Sequence, residues 1–157
     1  MALLLTDHLL LSAPPERIWQ ILDKPEVLAR ILPGCDSLIA TGPSTYAGTF
    51  SARLQFLALR IRATTVLQDL DAPRHARLVI EGQPEGLAAS FVVSVPVDLE
   101  PTADGSLVRY AVDLQVTGRL AAFGIPLLRK AVRLQLVELH RNLAREFDPT
   151  TEVRHDG

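Results

Sequence analysis

The segment LAAFGIPLLRKAVRLQLVELHRNLAREF, Leu120 to Phe147, decides the fold. At helical spacing Ile125, Leu128, Val132, Leu136, Leu139, Leu143 and Phe147 recur every three or four residues and make one apolar stripe. Phe123, Leu127, Ala131 and Leu134 widen it, while Arg129, Lys130, Arg133, Arg141 and Arg145 point elsewhere. A helix this long and this apolar needs a large concave partner. Pro126 lacks a backbone donor. Either the helix begins there, with Gly124-Ile125 leading in, or Arg119 to Gly124 forms a preceding turn and the helix kinks.

Everything before this segment supplies the partner. Leu3 to Ser12 reads as a strand, and Ala13-Pro14-Pro15-Glu16 ends it. Ile18, Trp19, Ile21 and Leu22 mark a first short helix. Pro25 opens a second, with Val27, Leu28, Ile31 and Leu32 as its apolar set, and Pro33-Gly34-Cys35 stops it. From Asp36 the period becomes two. Strands are expected over Ser37–Thr41, Thr45–Phe56, Leu59–Leu70, Arg77–Gly82, Ala88–Leu99 and Leu107–Gly118, with a poorly marked break near Leu57-Ala58. Short connections imply antiparallel pairing. The expected architecture is α+β: seven antiparallel strands, two short helices after the first strand, and one long C-terminal helix. A single domain over 1–147 and a polar, fraying tail over 148–157 complete it.

Alternation assigns the faces. Tyr46, Phe50, Leu54 and Phe56 share one face of their strand, and Leu59, Ile61, Ala63, Thr65 and Leu67 share one face of the next. Phe91, Val93, Val95 and Val97, then Val108, Tyr110, Val112, Leu114 and Val116, continue the same oily surface. The final helix is its cover. The N-terminal half of that helix, Phe123 to Val132, is expected to face a ligand and its opening, and Leu136 to Phe147 to pack as ordinary core. The expected ligand-binding set is Phe50, Leu54, Phe56, Ile61, Thr65, Phe91, Val93, Tyr110, Val112, Leu114, Phe123, Leu127, Leu128 and Val132.

A net charge of -2 gives no electrostatic grip on nucleic acid, and a hydrophobic fraction of 48% excludes general disorder. No apolar run approaches the roughly 20 residues of a membrane-spanning helix. The N-terminal leucines are interrupted by Asp7 and His8 without a preceding basic region, so a signal peptide and its export are not expected. The one cysteine, Cys35, fits a reducing cytoplasm and reads as a small buried hydrophobe or as a reactive thiol. His8, His75, His140 and His155 have no ligand spacing, so no metal site is expected. No phosphate loop follows a strand, and no cofactor is implied. The inward faces carry almost no ionisable group, whereas acid–base catalysis needs polar groups converging in a pocket. Tyr46, Tyr110 and Thr65 are the inward polar candidates, each either a satisfied core hydroxyl or a ligand contact. No catalytic residue is assigned.

The element order resembles the helix-grip fold of the START-like (SRPBCC, Bet v 1-like) superfamily. More specifically, Ala13-Pro14-Pro15-Glu16-Arg17-Ile18-Trp19, the run Pro25 to Cys35, and Val112 to Ala121 resemble the carbon monoxide dehydrogenase CoxG family. Pro33-Gly34-Cys35 is fairly specific to it, whereas Pro-Pro-Glu-Arg-Ile-Trp is shared across the superfamily. The resemblance runs to about Phe147. It implies a non-catalytic accessory protein with a hydrophobic cavity for a quinone- or lipid-like molecule. It also implies service to a molybdenum-containing dehydrogenase, and a cytoplasmic protein with peripheral contact at the inner face of the membrane. Some members carry a C-terminal extension suited to membrane contact; here only polar residues follow the helix. Two other readings stand beside it: an assembly or docking factor with a filled core, and a START-like cyclase or hydrolase acting on a hydrophobic substrate.

Overall fold

The computed structural model describes residues 1–148, so the expected tail falls outside the described residues apart from Asp148. Strand β1 (Ala2–Leu11) leads into helices α1 (Pro15–Trp19) and α2 (Pro25–Ile31), joined by a 3₁₀ turn over Gln20–Asp23. Six strands follow: β2 (Cys35–Gly42), β3 (Thr45–Leu54), β4 (Leu57–Asp71), β5 (His75–Pro84), β6 (Ala89–Thr102) and β7 (Gly105–Gly118). A 3₁₀ turn, Arg119–Phe123, then delivers the chain to α3 (Ile125–Phe147). This is the α+β helix-grip arrangement. Proline stands in the first turn of all three α-helices, where its missing N–H would be unpaired anyway. The two readings of Pro126 resolve accordingly. The helix begins at Ile125, Arg119–Phe123 forms a separate turn before it, and Gly124 at φ 84° is the joint.

The strands form one antiparallel, curved sheet in the order β1-β7-β6-β5-β4-β3-β2. The first strand thus returns to pair with the last. Each expected strand is present, but one turn differs from expectation. The β3–β4 reversal is a two-residue turn at Gln55-Phe56, with Leu54 opposite Leu57, rather than a break near Leu57-Ala58. Gln55 supplies the positive φ, 55°, that such a turn needs. The turn lacks glycine, asparagine or proline, and the alternation of apolar residues runs straight across it, which hides it in the sequence.

Helix α3 packs against β1 and β3, which lie toward opposite edges of the sheet, and against α2. Its C-terminal end is fastened by specific bonds. Asn142 Nδ2 donates to the Ile31 carbonyl at 3.0 Å, and Arg30 makes a two-pronged bond to Glu146 at 3.1 and 3.2 Å. The Ser12 N–H donates to Asp148 Oδ1 at 2.6 Å. The buried Ser106 hydroxyl donates to the Ala13 carbonyl at 2.6 Å, tying the start of α1 to β7. Around this end Leu11, Ile18, Ile31, Leu99, Val108, Leu143 and Phe147 form one apolar cluster. At the other end Leu3, Leu54, Leu59, Leu120 and Leu128 form a second.

Gly34 sets how α2 meets the sheet. Its φ is 71°, its carbonyl accepts from the Ser51 N–H at 2.8 Å, and a Cβ there would lie 2.2 Å from the Ser51 carbonyl oxygen. The substitution Gly34→Ala therefore combines left-handed strain with a backbone clash. We expect a loss of about 2–4 kcal/mol in chemical denaturation. A loss below about 1 kcal/mol would show that the junction relaxes freely.

Candidate functional site

Because α3 rests on β1 and β3, the middle of the sheet beneath it is not filled. A cavity of about 390 Å³ remains, walled by inward residues of β3 to β7, by α1 and α2, and by α3 from Leu128 to Leu143. Leu78 and Ile80 of β5 and Phe91, Val93, Val95 and Val97 of β6 are only half-buried although they face inward. Their facing partner is the hollow.

Of the residues expected from the sequence, Phe50, Leu54, Ile61, Phe91, Val93, Tyr110, Val112, Leu114, Leu128 and Val132 lie on the cavity wall. Four do not. Phe56 stands in the β3–β4 turn and is 99% exposed. Thr65 is 1% exposed, and its hydroxyl has no hydrogen-bond partner among the described residues, yet it does not reach the cavity. Phe123 and Leu127 pack against the cluster around Leu54 and Leu120, closing the base of the fold. The division of α3 into a ligand half and a core half is corrected with them. Leu136, Leu139 and Leu143 line the cavity, because the helix stands off along most of its length. Trp19, Ile21 and Leu22 also reach the wall, although their periodicity spoke only for a short amphipathic helix.

Polar groups on the wall are few: Tyr110, Gln135, and Ser51 and Arg53 on exposed positions of β3. Tyr46 is not among them; its hydroxyl donates to the Leu22 carbonyl and fastens the 3₁₀ turn onto β3. Tyr110 belongs to a group that the sequence did not bring together. Its hydroxyl is hydrogen-bonded to His140 Nε2 at 2.6 Å, with the two rings edge to face at 5.9 Å. Asp7 Oδ2 lies 3.8 Å from the same nitrogen. The β1–β7 register sets Asp7 opposite Tyr110, in the row of Leu3, Leu5, Leu9 and Leu11, so a carboxylate interrupts the apolar strand. Burial, and then the Asp7 charge, push the Tyr110 phenol up to about 12. Cys35 is half-buried, with its Sγ 3.4 Å from the Ser37 carbonyl; burial, and then Asp36, raise its pKa, which disfavours the reactive thiolate.

The fold and the apolar hollow define a START-like protein. Among solved structures, a conserved protein from Geobacillus kaustophilus shares 20% identity at a TM-score of 0.78, over 93% of this chain and 94% of that one. A START superfamily protein from Mycobacterium smegmatis shares 13% identity at a TM-score of 0.67, over 95% and 98%. Ara h 8.0201 shares 14% at 0.61, over 92% and 97%. At these identities the likeness speaks for the fold alone. Residues 9–147 match the carbon monoxide dehydrogenase CoxG family, and the chain belongs to that family. No curated protein matches it in sequence.

Two expectations follow from this geometry. Gly82 lies opposite Phe91, and a Cβ there would fall 2.4–2.8 Å from the Phe91 ring, so the glycine gives the ring its resting place. Gly82→Ala should drive the ring into the hollow, lowering stability by about 1–3 kcal/mol and weakening uptake of an apolar fluorescent probe. Adding Phe91→Leu should recover both, and no recovery would refute this coupling. The second concerns alkaline pH. The folded protein holds the Tyr110 proton more tightly than the unfolded chain, whose phenol ionises near 10.0. Its share of stability is complete below about 10 and is lost as pH rises through about 12. Tyr110→Phe should flatten that slope in pH-dependent unfolding, and tyrosinate absorbance should develop late; ionisation of both tyrosines near 10 would contradict it.

Proposed function

We propose that this protein is a non-catalytic carrier of a quinone- or lipid-like molecule, serving a molybdenum hydroxylase-type enzyme such as a carbon monoxide dehydrogenase. The observation that carries this reading is the unfilled apolar hollow beneath α3. Its volume of about 390 Å³ falls in the ordinary range for small-molecule sites. Its wall is almost wholly hydrocarbon, so apolar rings and isoprenoid-like chains gain by leaving water, whereas charged metabolites would lose hydration without compensation. Membership of the CoxG family supports the link to a dehydrogenase. A peripheral position at the inner face of the membrane fits a carrier whose cargo resides in the bilayer.

In this reading the ligand lies along the β5–β6 wall, beneath Leu128, Val132 and Leu136, with Tyr110 at its polar pole. The phenol stays protonated at physiological pH and already bonds His140, so its oxygen can orient a carbonyl or hydroxyl of the cargo without chemistry. A cyclase or hydrolase would need several polar groups converging on one substrate atom, and Gln135 is the other polar side chain contributed beneath the helix. A pure docking factor would need no hollow.

Lipid extraction from purified protein, followed by mass spectrometry, should recover a quinone or a related isoprenoid lipid. In a direct titration with a short-chain quinone, Val93→Trp should fill the cavity and lower affinity by roughly ten-fold or more while the protein stays folded. Wild-type protein that carries no lipid and binds no quinone would refute the carrier reading.

A further inference from the structure

The strand directions divide the molecule into two ends. One holds the β3–β4 turn, the β5–β6 connection, and the passage from β7 into α3. At this end Phe56 occupies a turn position and is 99% exposed, and its neighbour Leu57 is 40% exposed. Neither residue is asked for by the turn, which needs only a residue tolerating positive φ, met by Gln55. A phenylalanine held wholly in water at a projecting tip contributes nothing to the core.

The charges around it are of one sign. Arg53 and Arg60 flank the tip on the hairpin strands; Arg119 stands where β7 ends; Arg129, Lys130 and Arg133 ride the first turns of α3. All six are exposed, and none has an ion-pair partner among the described residues. The acids at this end are Glu85, which faces Arg62 at 4.0 Å, and Asp36, which accepts from the Ser51 hydroxyl at 2.6 Å. The cavity reaches the same place. Arg53, Leu54 and Leu59, on the stem of the hairpin, belong to its wall.

We infer that the β3–β4 hairpin is a membrane anchor: Phe56 and Leu57 enter the acyl boundary of an anionic bilayer, and the surrounding arginines meet its headgroups. A bilayer suits this surface better than a folded partner does. An apolar tip ringed by unpaired cations matches a negatively charged interface over a hydrocarbon layer, and arginine stems can lie along that layer with their charges outward. This docking rests on the carrier reading for its purpose. It sets Leu54 and Leu59 against the lipid, so cargo passes from the bilayer to Phe50 and Ile61 without crossing water.

Flotation of the full chain with vesicles tests it in the absence of quinone. The wild type should float with phosphatidylcholine vesicles containing phosphatidylglycerol and bind less to phosphatidylcholine alone. Phe56→Ser should weaken partitioning about ten-fold or more. Arg53→Gln and Arg60→Gln should each weaken it about five-fold and reduce its salt dependence. Since Phe56 packs against nothing, Phe56→Ser should keep the thermal midpoint and the solution affinity for a short-chain quinone. A wild type that does not float, or a Phe56→Ser protein that floats as well as wild type, would overturn the anchor. So would self-association through Phe56 in size-exclusion chromatography without flotation, which would mark an interface between copies. Failure to bind quinone alone would overturn the carrier and leave the flotation result standing.

Discussion

Helix α3 can rest on β1 and β3 at once only if the sheet between them bows away from it. Right-handed twist supplies the bow, and the β1–β7 pairing fixes it by returning the first strand to the side of the last. The hollow is then a consequence of span. Side chains on β5 and β6 reach inward, but phenylalanine and valine cannot meet a helix held off by the flanks. Residues that alternation marks as core are therefore left half-solvated, a costly arrangement for an apolar wall with nothing to cover it. The fold withstands that cost because its fastening lies elsewhere. The bonds from Asn142, Glu146 and Asp148 hold the C-terminal end of α3 to α2 and to the chain after β1.

Small residues tune the hollow more than large ones do. At Gly82 the absent side chain lets the Phe91 ring lie over the neighbouring strand, and at Gly34 it lets α2 come down onto β3 without displacing Ser51. A methyl group at either position would shift a wall. The Pro33-Gly34-Cys35 run that carries the family resemblance thus has a mechanical basis. Proline and glycine end the helix and admit close backbone approach, while Cys35 begins β2 as a half-buried thiol with a raised pKa.

Regular periodicity made most of the fold legible. Seven strands, both short helices and the long helix stand where alternation and helical spacing put them, since each buries one face. Where the pattern continued across a change of direction it misled. The Gln55-Phe56 turn sits inside an unbroken alternation, so Phe56 looks like core in sequence and is fully outside in space. Phe123 and Leu127 follow the helical stripe, but the stripe changes partner along its length: its first turn meets the cluster around Leu54, and the rest meets the hollow. Cavity walls were legible only as core, because a sequence records which face is apolar and not how far apart two faces stand. The Asp7, Tyr110 and His140 grouping was hidden for another reason. Its members come from β1, β7 and α3 and meet only through a register that no local signal encodes.

That grouping and the two apolar clusters give the cavity a direction. Deep in the fold, between β1, β7 and α3, a phenol, an imidazole and a carboxylate supply the polarity that the rest of the wall lacks. At the far side, Leu54 and Leu59 bring an unbroken apolar surface to the hairpin tip. A molecule with a polar head and a hydrocarbon tail has one favourable way to lie between them, head toward Tyr110 and tail toward the hairpin. The reverse would bury an unmatched carbonyl among leucines and set hydrocarbon against Asp7, losing at both ends. Orientation thus follows from where the few polar atoms sit, and a wall of uniform composition could not impose it.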